Sequence, residues 1–105
     1  MTNAALETSA DVEFTVDVIK GYASAGPRLE NADSIMTMGI SGSLQDSLQL
    51  ATSQMVDWLK RDYKLSDSEI AIFLGAVLKY DVTELVDPHL NVVARVPKSA
   101  LAGIR

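Results

Sequence analysis

A chain of 105 residues and 11.3 kDa without cysteine supports one domain and excludes disulfides, thiolate zinc sites and cysteine nucleophiles. Its 14 acidic and 9 basic residues give a formal charge of −5 and a pI near 4.6, which argues against nucleic acid as a partner, since phosphate binders carry a basic stripe. With 48% hydrophobic residues there is enough apolar material to offset the ordering entropy of one modest core.

The N-terminal MTNAALETSADVEF has neither the basic nor the apolar region of a secretory signal. No apolar run approaches the roughly 20 residues of a membrane span. The longest, Ile70 to Leu78, is short and broken by Gly75. A cytoplasmic protein with no membrane partner is the expectation. Acid is concentrated early: residues 1–40 hold six acids and two bases, residues 41–105 eight and seven.

Val12, Phe14, Val16 and Val18 alternate with Glu13, Thr15 and Asp17, which predicts a strand with one buried face. Lys20-Gly21 ends it, and Ala25-Gly26-Pro27 supplies a turn. A second strand is predicted over Ile35 to Ile40, with Met36, Met38 and Ile40 on one face and Gly39 marking a bulge or a close backbone approach. Ser43 opens a helix over about 43–62, with Asp46 three residues on as in a capping box. Its predicted apolar stripe is Leu44, Leu48, Ala51, Met55 and Trp58. Ser66-Asp67-Ser68-Glu69 is a fuller capping box, with Leu65 and Ile70 as the hydrophobic staple, opening a second helix over about 66–79. Only Tyr63-Lys64-Leu65 connects the two, which predicts a helix hairpin. Val82 to Val86 is open between strand and turn; Leu90 to Val96 reads as a last strand stopped by Pro97. Segregated strands and helices make the fold α+β, a mixed or antiparallel sheet with the hairpin packed on one face.

Few residues could carry chemistry. Ser41, in Gly39-Ile40-Ser41-Gly42-Ser43, sits on a strand-to-helix turn of the kind that holds a nucleophilic serine, with Asp87 and His89 downstream. The spacing departs from G-x-S-x-G, and a glycine-serine helix start whose hydroxyls cap amides is the plainer reading. His89 is the only histidine; with Glu84 and Asp87 it makes a weak ligand set. Asp57, Asp62, Asp67 and Glu69 surround the hairpin, where capping or solvated roles outweigh paired acid-base work. Met36, Met38 and Met55 fall at core spacings. The residues therefore nominate no catalytic group, no metal and no cofactor.

Taken in order, Ala5-Leu6-Glu7 leading into DVEFTVDVIKG, then PRLENADSIMTMG, MVDWL, SDSEIAIFLGAV and LVDPHLNVVARVPKSAL, the chain resembles the C-terminal portion of the acetamidase/formamidase family. The resemblance spans residues 1–105 as a single domain. It implies relatives that are much longer hydrolases of the C–N bond in short linear amides. It also implies that their active-site and metal motifs lie in a β-rich N-terminal part, and that this sequence begins after the Gly-Asp-Gly-Glu segment preceding the Ala-x-Glu strand. Glu7 is the one acidic position the resemblance places at the edge of that site. The expectation is a stand-alone, catalytically incomplete domain with a binding or assembly role. The alternatives are one subunit of a split amidase, completed by a separate N-terminal half, or a minimal serine hydrolase using Ser41. A homo-oligomer, a dimer, is expected through Val12, Phe14, Val16 and Val18, because a strand left without its partner is a template for pairing.

Overall fold

Alternation and two serine-capped helix starts build a sheet layered by helices on one side. The computed structural model describes residues 8–85 and 88–104. In chain order the elements are β1 (Arg28–Glu30), β2 (Ser34–Ser41), α1 (Leu44–Tyr63), α2 (Asp67–Val77), β3 (Lys79–Glu84), β4 (Leu90–Pro97) and α3 (Lys98–Ala102). The four strands form one antiparallel sheet in the order β1-β2-β4-β3. The fold is α+β, as the segregation of periodicities predicts.

The centre of the sheet is the β2–β4 pair, running from Ser34 opposite Pro97 to Ser41 opposite Leu90. Val92, Ala94 and Val96 of β4 and Ile35 and Thr37 of β2 are buried on the side that faces the helices. Ile35 and Val96 join Met55, Trp58, Leu59, Ile70, Leu74 and Leu101 in the main core, so all three helices contribute to one layer. The hairpin therefore packs on one sheet face. Its turn is closed by Lys64 in the left-handed conformation (φ 57°), whose amide donates to the Leu59 carbonyl.

Both helix starts are capped. The Ser43 hydroxyl accepts from the Asp46 amide at 3.1 Å. At α2 both halves of the box are present: Ser66 Oγ accepts from the Glu69 amide at 3.2 Å, and the Ser66 amide donates to Glu69 Oε1 at 2.8 Å.

Three expectations are corrected. The predicted strand over Val12 to Val18 forms no ladder among the described residues: residues 8–19 have no regular structure and are exposed. Its alternation is an apolar pattern with which no strand among the described residues pairs. On α1 the buried seam is Ser47, Ala51, Gln54, Met55, Trp58 and Leu59, while Leu44 and Leu48 are exposed. The cause is Gly39. A Cβ there would lie 1.9 Å from the Ser47 carbonyl oxygen, so the first turns of α1 rest on bare strand backbone where only small side chains fit. Met55 is fully buried, but Met36 and Met38 are half-buried on the sheet face away from the helices. The last strand ends at Pro97, as expected, and Pro97 also occupies the N-cap position of α3.

Three elements escaped the sequence: the three-residue β1, the short helix α3, and β3, which takes most of the ambiguous segment and begins at Lys79. Val86 and Asp87 lie outside the described residues.

Candidate functional site

The sheet has two unlike faces. Opposite the helices, β2 presents Met36, Met38 and Ile40, whose register partners on β4 are Arg95, Val93 and Asn91. Leu29 of β1 sits beside Met36, and Lys79 and Asp81 of β3 sit beside Arg95 and Val93. Leu29 and Ile40 are exposed, and no described helix covers this face. It is apolar along β1 and β2 and charged along β3, where Asp81 and Arg95 pair at 3.4 Å.

The second feature is the arm, residues 8–19. Val12, Phe14, Val16 and Val18 are between 74% and 81% exposed. The dimensions of the molecule, 43 × 33 × 27 Å with a radius of gyration of 15.5 Å, exceed the ~13 Å radius of a compact chain this long.

The arm is fastened at its base. Gly21 turns the chain at φ 73°, which glycine adopts without strain. The Tyr22 hydroxyl then donates to the Asp62 carboxylate at 2.9 and 3.0 Å and accepts from Arg28 Nη1. Arg61 lies over the Tyr22 ring at 4.4 Å from its centroid, and Arg28 is shared between Tyr22 at 5.3 Å and Trp58 at 4.8 Å. Arg61 also donates to the Ala23 carbonyl at 2.7 Å. Each such cation–π contact is worth about 0.5–1 kcal/mol at an exposed site, so together they hold the arm's root against the end of α1. Beside this clasp a cleft of about 390 Å³ is lined by Ala23, Ser24, Arg28, Asp57, Lys60 and Arg61 among others. The clasp was not legible in the sequence. Its members are scattered from Tyr22 to Asp62, and no local period links them.

The candidates for chemistry are dispersed. Ser41 ends β2 opposite Leu90, so His89 lies at the same end of the sheet, exposed; the structure gives Ser41 and His89 no hydrogen bond to each other. Asp87 and Glu7 lie outside the described residues. Among the described residues no three of His, Asp and Glu gather into a possible metal site. The carboxylates are each engaged separately or exposed. Asp62 holds Tyr22, Asp67 pairs with Lys60 at 3.0 Å, and Asp57 lines the cleft. Glu69 is held below the ordinary glutamate range by the hydrogen bond from the Ser66 amide, helped by that with the Ser66 hydroxyl. No pair of them shares a proton or faces a common cavity.

This geometry defines a two-layer α+β domain with a sheet face that no described helix covers and an exposed N-terminal arm. The structure is similar to the crystal structure of acetamidase from Yersinia enterocolitica, with a TM-score of 0.76 and 30% identity over 79% of this chain and 25% of that one. It is also similar to a predicted acetamidase/formamidase from the thermophile Thermoanaerobacter tengcongensis, with a TM-score of 0.74 and 26% identity over 83% of this chain and 30% of that one. An acetamidase from Bacillus halodurans shares the fold at a TM-score of 0.68 and 21% identity, over 73% and 26% of the two chains. No family model matches the chain, and no curated protein does. The chain has an acetamidase/formamidase-like fold, and it spans only about a quarter to 30% of the length of these relatives. No helix among the described residues is long and apolar enough to cross a membrane.

Proposed function

We propose that this chain is an acetamidase/formamidase-like domain, corresponding to the C-terminal part of the longer relatives, that is catalytically incomplete by itself and serves in assembly. The observation that carries this reading is the pairing of an exposed apolar arm with an uncovered sheet face, two surfaces suited to association. The residue inventory supports it. Amide hydrolysis needs an activated nucleophile and donors placed for the developing oxyanion, and the one serine on a suggestive turn, Ser41, has no base hydrogen-bonded to it among the described residues. Association is homo-oligomeric, a dimer engaging Val12, Phe14, Val16 and Val18, and the working compartment is the cytoplasm.

The test is ammonia release from formamide and acetamide by the purified chain, with and without added divalent metal. We expect none. Release abolished by Ser41→Ala would establish the serine-hydrolase reading instead, and release abolished by a chelator would establish a metal site.

A second reading is favoured by the share of the relatives' length that this chain spans. It acts as one subunit of a split amidase that cleaves the C–N bond of short linear amides. Activity that appears only on adding a separate polypeptide equivalent to the N-terminal part of the longer relatives would establish it.

A further inference from the structure

We infer that the cleft beside the Tyr22 clasp binds a small zwitterion, a free amino acid, with its carboxylate on Arg61 and Arg28 and its ammonium on Asp57. The inference does not depend on the assembly role proposed above. The cleft, of about 390 Å³, is made by three parts of the chain: Ala23 to Ala25 after the arm, Arg28 at the start of β1, and Asp57, Lys60 and Arg61 in the last two turns of α1.

Asp57 and Arg61 stand four residues apart on α1, the spacing at which opposite charges pair across a helical turn. They do not pair. Arg61 is drawn instead over the Tyr22 ring, 4.4 Å from its centroid, and donates to the Ala23 carbonyl at 2.7 Å. Lys60, three residues after Asp57, is taken by Asp67 at 3.0 Å. The Asp57 carboxylate is therefore left without an ion pair among the described residues. The two guanidiniums likewise lack a carboxylate partner. Arg28 donates through Nη1 to the Tyr22 hydroxyl and lies 4.8 Å from the Trp58 ring centroid, and its Nε is buried with no acceptor among the described residues. Asp62 is engaged by the Tyr22 hydroxyl rather than by either arginine.

Unpaired charges of both signs on one cleft define the ligand. The forked N–H edge of a guanidinium matches a carboxylate, and an ammonium supplies the donors that Asp57 lacks. A lone anion, phosphate included, would bring a like charge to Asp57, and a lone cation would meet Arg28 and Arg61. Aromatic rings and neutral acceptors hold both arginines in place without consuming their charge, so little side-chain freedom is lost on binding. Asp57 and Arg61 are exposed, and solvent screening sets the affinity in the millimolar range.

The test is a titration followed by the NMR amide shifts of Ser24, Ala25 and Arg61, at neutral pH and fixed ionic strength. The probes are glycine, which carries both charges, acetate, which carries only the anion, and methylammonium, which carries only the cation. Glycine should give saturable shifts, with half-saturation at least about threefold lower than acetate, the worth of one exposed ion pair. Methylammonium should give none. Asp57→Asn should weaken glycine by about the same factor and leave acetate no weaker. Arg61→Lys keeps the charge but loses the fork, and should weaken glycine and acetate together. Equal half-saturation for glycine and acetate would reduce the cleft to a plain anion site and overturn the inference. Glycine shifts that never saturate, or that neither substitution alters, would overturn the site altogether. Where Arg61→Lys lowers the helical circular dichroism by loosening the clasp, the Asp57→Asn comparison decides alone, because the Asp57 carboxylate takes no part in the clasp.

Discussion

Two residues show how far a single side chain, or its absence, sets this structure. At Gly39 the missing Cβ lets the Ser47 and Ala51 backbone of α1 settle onto β2; an added methyl would lie 1.9 Å from the Ser47 carbonyl oxygen and 2.7 Å from the Ala51 nitrogen. Both obstacles are backbone and cannot rotate away. Gly39→Ala should therefore lower stability by at least about 1–3 kcal/mol, the usual cost of overpacking a core, read as a lower urea midpoint. At Ser66 the loss is of a cap. Ser66→Ala should cost about 0.5–2 kcal/mol. Its partner Glu69 adds a pH signature. A carboxylate held below its ordinary range stabilises the fold fully above the unfolded glutamate value, and that share is lost as pH falls through the lower folded value. In denaturation midpoints measured against pH, Glu69→Gln should differ from the parent chain near neutrality, and the two should converge in acid.

Among the elements, α1 decides most. It carries the Ser47 hydroxyl, which donates to the Leu90 carbonyl at 2.8 Å, and the Ala51 carbonyl, which accepts from Thr37 at 2.6 Å, so its N-terminal half is tied to the sheet by polar contacts. Its C-terminal half, through Met55, Trp58 and Leu59, forms the apolar core with α2 and α3. The contrast is measurable. Leu59→Ala should cost about 2–5 kcal/mol as a buried truncation. Leu48→Ala, on the same helix but exposed, should stay within about 0.5 kcal/mol. Equal losses would mean that the helix is rotated relative to the seam described here. The period of 3.6 predicted that a stripe exists, yet its phase in the first two turns was misread, because the residue that sets it is a glycine on a different element.

For the molecule as a whole, the proposed assembly rests on the exposed arm, whose Val12, Phe14, Val16 and Val18 are at least 74% exposed. Phe14→Lys places a charge at the middle of the arm's apolar side and should halve the mass seen by light scattering at micromolar concentration, while leaving the circular dichroism of the helices unchanged. The second half of that outcome follows from geometry. Phe14 touches none of the core, and the clasp that roots the arm begins eight residues later, at Tyr22.

The local signals were legible without coordinates: the capping box at Ser66, the strands at Ile35 and Leu90, the three-residue link between helices, and the α+β class. Each depends on residues close in sequence, where backbone geometry and short-range hydrogen bonds dominate. Alternation over Val12 to Val18 likewise revealed an apolar face, but a period of two specifies only that a strand wants a partner, not that one lies within reach. Whether a pattern is buried depends on what packs against it, and that is a long-range property. The same reason hid the Tyr22–Arg28–Arg61–Asp62 clasp, the phase of α1 above Gly39, and the division of the sheet into a covered face with Ile35 and Val96 and an open one with Met36 and Met38. Methionines at strand spacing look alike on either side of a sheet; the helices, arriving from one side only, make them different.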